Sequence, residues 1–273
     1  MCIRDRLVGL ALASGRTSLS PAVAGATLAA ALLIQIATNL ANDYYDFRRG
    51  ADDENRLGPA RAAAAGLLDP SSVFAGFVAC LAAAAVLGIG LVAHGGWPIL
   101  AIGVVSLALA WAYTGGPYPL AYHGLGDPFV LVFFGVVPVA GTYFLQTGRF
   151  DAVAWLAGVP AGLLAVAILV VNNLRDRDTD ARSGKRTLAV RIGDAATRAE
   201  YRIAVGGAYA ALLPLAWLEG AAVLLPLLTA PLAVGEVGRL NLRDGRDLNL
   251  SLAGTTKVHA LFGALMAAGL LLA

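Results

Sequence analysis

The chain has 273 residues, 58% of them hydrophobic and only 14% charged, with a formal net charge of +2 and a mean hydropathy of +0.72. A soluble globular domain sits near about 45–50% apolar and about 25% charged. A soluble protein of this length cannot build a core large enough to hide so much apolar surface, so the composition points to a polytopic helical membrane protein.

The start is irregular. Met1-Cys-Ile-Arg-Asp-Arg6 is polar, and Leu7–Ala13 supplies only seven apolar residues, too few to span a bilayer. It does not read as a signal peptide either, because the apolar stretch is short and charge lies on both sides. It reads as the tail of a helix whose front half is missing or replaced. Arg16–Ser20 is then a loop, and Pro21 opens a helix. Full membrane helices are predicted at 21–45, 71–93, 98–114, 127–147, 151–173, 198–218, 220–238 and 255–273. The segment 220–238 is the weakest, with Pro226 and Pro231 inside it. His94-Gly-Gly-Trp-Pro98 and Thr147-Gly-Arg-Phe150 read as tight connections. Cys2 and Cys80 lack metal-site or disulfide spacing, and Cys80, inside an apolar helix, reads as packing.

With the loop after Tyr45 placed in the cytoplasm, the loops near 46–70, 174–202 and 239–257 fall on the same side. They carry Arg48, Arg49, Arg56 and Arg61; Arg175, Arg177, Arg182, Lys185, Arg186, Arg191, Arg198 and Arg202; and Arg239, Arg243, Arg246 and Lys257. These are sixteen of the 20 Lys and Arg residues, and this bias is what positive-inside orientation predicts.

Two polar clusters end long apolar runs on that side. The first is Asn39-Leu-Ala-Asn42-Asp-Tyr-Tyr-Asp46-Phe-Arg-Arg-Gly-Ala-Asp52; the second is Asn172-Asn-Leu-Arg-Asp176-Arg-Asp-Thr-Asp180. Residues four apart share a helix face, so Asn42 lies with Asp46 and Asp176 with Asp180. Helix, Asn-x-x-x-Asp cluster and basic loop recur at 21–61 and 151–191, a weak internal repeat. Asp46, Asp52, Asp176 and Asp180 are hard oxygen ligands of the kind magnesium takes, one or two carboxylates at a time with substrate phosphates completing the shell. Arg56, Arg61, Lys185 and Arg186 are suited to phosphate oxygens. Topology alone asks for basic residues, not for acidic ones in the same pattern twice. Asp53, Glu54, Asp69 and Asp194 read as solvated juxtamembrane charges.

A third loop on the same side is Tyr113-Thr-Gly-Gly-Pro-Tyr118-Pro-Leu-Ala-Tyr122-His123-Gly-Leu-Gly-Asp127. Two readings stay open for Tyr118, Tyr122 and His123: they shape an aromatic pocket and handle a proton, or they form an interfacial aromatic belt. Asp127 reads as a helix cap. His259 reads as packing or interfacial, and His94 as solvated in an outer loop.

The first cluster, with Arg56-Leu-Gly-Pro-Ala-Arg61, resembles the first aspartate-rich motif of the UbiA superfamily of intramembrane aromatic prenyltransferases. The second cluster, with Gly184-Lys-Arg-Thr-Leu-Ala-Val190, resembles the second. The five-residue gap between Asp46 and Asp52, longer than in many members, is similar to the 1,4-dihydroxy-2-naphthoate polyprenyltransferase branch of menaquinone synthesis. Tyr113-Thr-Gly-Gly-Pro, Tyr122-His-Gly-Leu-Gly-Asp127 and Gly141-Thr-Tyr-Phe-Leu-Gln-Thr-Gly148 resemble that branch too. The resemblance runs from about residue 7 to the end. Met1–Arg6 looks foreign to it, and no Arg-Pro-x-Thr-like stretch opens the first helix.

The resemblance implies an all-α transmembrane bundle of nine helices, here eight and a partial first, forming a single prenyltransferase domain. It implies Mg2+ held by Asn42, Asp46, Asp52, Asp176 and Asp180, with the diphosphate bound by Arg56, Arg61, Lys185 and Arg186. Asp46, Asp176, Asp180, Tyr118 and His123 are the expected catalytic residues. The implied substrates are polyprenyl diphosphate and 1,4-dihydroxy-2-naphthoate, with loss of carbon dioxide and diphosphate to give demethylmenaquinone. The expected place is the cytoplasmic (inner) membrane, multi-pass in the lipid bilayer, with the site facing the cytoplasm and no nucleic acid as a partner. The nearest alternative is another acceptor on the same scaffold: 4-hydroxybenzoate, homogentisate or a chlorophyllide. A cation or phosphate transporter is the alternative from another class, but transporter sites usually lie near the midplane on broken helices, whereas these carboxylates cluster at helix ends.

Overall fold

The computed structural model describes residues 2–51 and 57–273, and among them every regular element is helical. The long helices are α1 (Cys2–Ser14), α2 (Pro21–Arg48), α3 (Pro70–Gly95), α4 (Trp97–Ala112) and α7 (Ala152–Arg182). Between α4 and α7, α5 (Gly126–Leu131) runs through a π turn into α6 (Val137–Thr147). After α7 come α8 (Leu188–Ile192), α9 (Asp194–Ala210) and α10 (Leu212–Glu219). A 3-10 segment (Ala221–Thr229) then leads into α11 (Ala230–Leu240), and α12 (Leu248–Leu272) closes the chain. Among the described residues, seven stretches are long and apolar enough to cross a membrane: α2, α3, α5–α6, α7, α9–α10, the 3-10 segment with α11, and the stretch ending in α12.

The expected spans are present with shifted ends. Helix α7 continues past residue 173 to Arg182, so the second acidic cluster lies on the helix itself. The segment expected over 98–114 is a helix of 16 residues, shorter than the other spans. It stops where Gly115 folds back on Trp111: a Cβ at Gly115 would stand 2.7 Å from the Trp111 carbonyl oxygen. The segment expected at 220–238 winds as a 3-10 helix up to Thr229, with Pro226 inside it, because proline supplies no amide for α-helical bonding.

Helix α7 is the hub. Its apolar stretch is 67% buried, against 17% for α3. Val86 and Ile89 on α3 and Val104 on α4 are exposed. Outward apolar faces of that kind belong in lipid, where they carry no hydration penalty. Helix α7 meets the α5–α6 stretch through Gly158 and Gly162, spaced for close backbone approach. A Cβ on Gly135 would lie 2.3 Å from the Gly162 Cα. Helix α1 packs Val8, Leu12 and Ala13 into the core. Fully buried Asp5 has neither carboxylate oxygen hydrogen-bonded. His259, expected as packing or interfacial, is wholly buried on α12, and Cys80 is a free, half-buried thiol beside Phe77 and Ala37.

The helix ends sort onto two faces. On one, Arg16 pairs with Glu219 at 2.5 Å and the Ser20 amide donates to Gln146 Oε1 at 2.8 Å. The connections there are short. The other face gathers the wide loops 57–69, 113–125 and 183–193, and with them both acidic clusters.

Candidate active site

The site is built where the last turns of α2 and α7 converge. Asp46 is 3% exposed. One of its oxygens accepts the Tyr122 hydroxyl at 2.9 Å, the other the Lys185 ammonium at 3.2 Å. Lys185 also lies 3.8 Å from Asp180. The lysine thus bridges the two acidic clusters. Burial alone would lower its pKa, but Asp46 and then Asp180 outweigh that and hold it above the ordinary lysine value. The Tyr122 hydroxyl is kept protonated by burial and by the Asp46 carboxylate.

Each carboxylate is held by a scaffold of its own. Asp43, one residue past Asn42, accepts the amides of Ala62 and Ala63 at 2.9 and 3.2 Å, which fixes the loop that carries Arg61. Asn42 accepts the Thr114 hydroxyl at 2.8 Å. Arg49 donates to the carbonyls of Thr114 and Gly116 and lies 4.9 Å from the centre of the Tyr122 ring. These contacts pull the 113–123 loop over the end of α2. On α7, Arg175 grips both oxygens of Asp176 at 2.8 and 2.6 Å. The same guanidinium donates to Asn172 and, on α12, to Asn249, each at 2.8 Å. Gly58 lies flat against it, where a Cβ would be 2.7 Å from Nη2.

Asp46, Arg61, Asn172, Asp176, Thr179, Asp180 and Lys185 line one small polar cavity of about 20 Å³. A neighbouring polar cavity of about 70 Å³ shares Asp46, Arg61 and Lys185 and adds Asn42, Tyr113 and Asp127. Both share wall residues, Arg61 and Asn172 among them, with an apolar cavity of about 350 Å³ whose wall also includes Asn42, Tyr113, Phe129, Phe133 and Phe134. Deeper in the bundle this meets a second apolar cavity of about 370 Å³, with Arg6, Ala31, Ile34, Ser106 and Phe133 common to the two.

The structure therefore brings Asn42, Asp46, Asp176, Asp180, Arg61 and Lys185 together. Asp52 and Arg56 lie outside the described residues. Arg186 is exposed, and only its backbone is engaged, its amide donating to the Tyr122 carbonyl and its carbonyl accepting Arg191 Nε. Tyr118 is exposed and stacks on His123 with centroids 3.6 Å apart. His123 bonds the Pro119 carbonyl, and neither ring lines the cavity around Asp46. Tyr122 is the ring of this loop that faces Asp46. Asp43 and Arg175 were not singled out in the sequence, although both sit inside the two acidic motifs.

The donor set of the 20 Å³ cavity suits magnesium. Its walls offer carboxylate, amide and hydroxyl oxygens and no sulfur or imidazole. An ammonium group already stands between two of the carboxylates. Among the described residues no three His, Cys, Asp or Glu side chains close on one point. An ion there would need ligands from substrate, which is how magnesium is commonly held beside phosphates.

A family model described as the UbiA prenyltransferase family matches residues 6–261. The 1,4-dihydroxy-2-naphthoate octaprenyltransferase of Mycobacterium tuberculosis is 41% identical over 249 residues, 89% of this chain and 83% of that protein. The Escherichia coli protein of the same name is 37% identical over 84% of this chain and 77% of its own length. A solved structure of a UbiA homolog from Archaeoglobus fulgidus bound to DMAPP and Mg2+ superposes with a TM-score of 0.66 at 12% identity, covering 98% of this chain and 95% of that one. At that identity the likeness bears on the fold alone.

Proposed function

The chain belongs to the UbiA prenyltransferase family, and on that premise we propose that it transfers a polyprenyl group from polyprenyl diphosphate to 1,4-dihydroxy-2-naphthoate, giving demethylmenaquinone, released as its quinol, in menaquinone biosynthesis. The observation that carries this reading is one junction. A polar cavity walled by Asp46, Asp176, Asp180, Arg61 and Lys185 adjoins an apolar cavity that continues into the bundle. Such a pair matches a charged diphosphate head and an isoprenoid tail. The choice of acceptor rests on the names of the two bacterial relatives.

Asp46, Asp176 and Asp180, with Asn42, are the residues that would hold Mg2+, and Asp52 is assigned to the same set from its motif. Magnesium bound there would offset the negative charge that builds on the departing diphosphate. Lys185 and Arg61 meet phosphate oxygens from the cavity wall, and Arg56 and Arg186 are assigned to the same head group. Tyr122 and Arg175 hold Asp46 and Asp176 in place, so the electrostatic environment is set before substrate arrives. The allylic C–O bond breaks, with its electron pair leaving on the diphosphate oxygen. The apolar wall excludes water from the cation that remains, and the faces of Phe129, Phe133, Phe134 and Tyr113 offer it π density. The electron-rich naphthoate ring forms the new C–C bond. Its carboxylate leaves as carbon dioxide, and that bonding pair restores the aromatic ring. We assign the acidic face to the cytoplasm on the bias of basic residues, and the chain to the cytoplasmic (inner) membrane.

The test is product mass. Membranes containing the chain, given the naphthoate, a polyprenyl diphosphate and magnesium, should yield the prenylated, decarboxylated naphthohydroquinone, recovered as the quinone after oxidation by air. Asp46→Ala and Asp176→Ala, purified and folded, should lose nearly all transfer. Turnover retained in both would remove the site assignment, and a prenylated product from 4-hydroxybenzoate, homogentisate or a chlorophyllide but not from the naphthoate would replace the acceptor.

A further inference from the structure

Asp127 stands apart from the carboxylates used above. It is 6% exposed, and neither of its oxygens has a hydrogen-bond partner. A buried carboxylate without a donor is costly, and native structures seldom leave one so. The sequence suggested a helix cap. The N-cap of α5 is Leu125, which makes no side-chain cap bond, and Asp127 lies inside the first turn instead. Its own backbone amide favours the charge and Lys185 lies in the same cavity wall, while Glu200 on α9 is its acidic neighbour. Asp127 lines the polar cavity of about 70 Å³, together with Lys185, Asn42, Asn173 and Tyr113. That cavity connects to the apolar chamber through Asn42, Arg61, Tyr113, Leu169 and Asn172, common to both walls.

We propose that Asp127 binds the aromatic acceptor by accepting a hydrogen bond from a ring hydroxyl. This rests on the prenyl-transfer reading and extends it to the acceptor's side. In a 1,4-dihydroxy-2-naphthoate, the hydroxyl next to the carboxylate is tied up in an internal hydrogen bond. The other points outward as a free donor, and it is the group that meets Asp127. The ring then lies beside Tyr113, whose hydroxyl burial and the Asp127 carboxylate both keep protonated. A hydrogen bond to a charged carboxylate pushes electron density into the ring, which favours attack on a cation. It also makes the outward hydroxyl a specificity element, since an acceptor lacking it leaves Asp127 buried and unpaired.

The experiment measures equilibrium binding to the purified full chain in detergent, without turnover. The ligands are 1,4-dihydroxy-2-naphthoate, 1-hydroxy-2-naphthoate, which lacks the outward hydroxyl, and geranyl diphosphate with magnesium. The wild-type chain should prefer the dihydroxy compound by roughly 10- to 100-fold, the range for a hydrogen bond to a charged group. Asp127→Ala should bring that preference close to one while leaving geranyl diphosphate binding within about twofold. Asp127→Asn keeps an accepting oxygen but no charge, and should retain an intermediate preference; it also serves if the alanine variant does not fold. An unchanged preference in either variant overturns the proposal, as does an equal loss for all three ligands. A wild-type chain that binds geranyl diphosphate but neither naphthoate marks failure of the acceptor reading itself, and the role of Asp127 falls with it.

Discussion

Asp46 and Lys185 are 139 residues apart in the chain and joined by a 3.2 Å hydrogen bond. The contact closes the two halves of the internal repeat on each other, because Lys185 also reaches Asp180. Replacing Lys185 by Met leaves two buried carboxylates without their shared cation. Loss of one charged partner at such a site is expected to cut transfer by about 10²–10³-fold, read as kcat/KM for prenyl diphosphate. The stability difference between the parent and this variant has a defined pH course. A group whose folded pKa is raised contributes fully below its unfolded value and loses the contribution as pH rises through the folded value. With an unfolded value of about 10.4, the difference should be flat from about pH 7 to about pH 9 and shrink only above about pH 10.5. Thermal denaturation of both proteins across that range checks it.

Tyr122 donates to the oxygen of Asp46 that Lys185 does not occupy. Tyr122→Phe removes that bond and leaves Asp46 freer to turn. The expected result is roughly a tenfold rise in the magnesium concentration for half-maximal activity, the scale of one hydrogen bond to a charged group. Tyr118→Phe and His123→Ala, made in parallel, should change it by less than about threefold, since the stacked pair lies away from Asp46. A larger effect at Tyr118 or His123 would support the catalytic role that the family resemblance implies for them.

The contrast between these tyrosines shows what the sequence made legible. Membrane class, spans and the pairing of acidic clusters followed from hydropathy and spacing, because helix periodicity fixes which residues share a face. The aim of the 113–123 loop did not follow. It is set by Arg49 reaching the carbonyls of Thr114 and Gly116 and by the Asn42–Thr114 bond, contacts about 70 residues apart that no local pattern encodes. Arg175 and Asp43 were visible as letters but not as clamps, since their partners Asn249, Ala62 and Ala63 come from distant segments.

The crossing of α7 with the α5–α6 stretch depends on missing side chains. Gly162→Ala would put a Cβ 2.6 Å from the Leu131 carbonyl oxygen, and Gly135→Ala one 2.3 Å from the Gly162 Cα. Backbone cannot yield there as a flexible side chain would, so each should cost at least about 1–3 kcal/mol. Gly206→Ala on α9 meets nothing within 4 Å and should be neutral or slightly stabilising, given alanine's helix propensity. Melting temperatures of the three variants in one detergent test the ranking.

Asp5 makes the opposite case. Its carboxylate is fully buried with no hydrogen bond, so it destabilises the fold that contains it. Asp5→Leu removes the unmet polar group and keeps the branched shape, with two methyls where the two oxygens stand. It should raise stability by about 1–3 kcal/mol, seen as a higher melting temperature. A lower one would mean that the carboxylate is satisfied in the folded protein.

The two apolar cavities meet at Arg6, Ala31, Ile34, Ser106 and Phe133. From Asn42, at the polar end, to Thr27, in the wall of the deeper cavity, α2 advances fifteen residues, about 22 Å at the helical rise. On the proposed function an isoprenoid tail of several units would lie along that path, with Ala31 in the wall that the two cavities share. Ala31 is 2% exposed, so a larger side chain there projects into the passage or strains the packing behind it. Ala31→Phe should therefore divide donors by length. Geranyl diphosphate, which ends before the junction, should keep its KM within about threefold, whereas a long polyprenyl diphosphate should lose at least about tenfold in kcat/KM, because its tail must leave the path or displace the ring. Equal losses for both donors would mean general damage to the bundle, and no loss for either would mean that the tail takes another route into lipid.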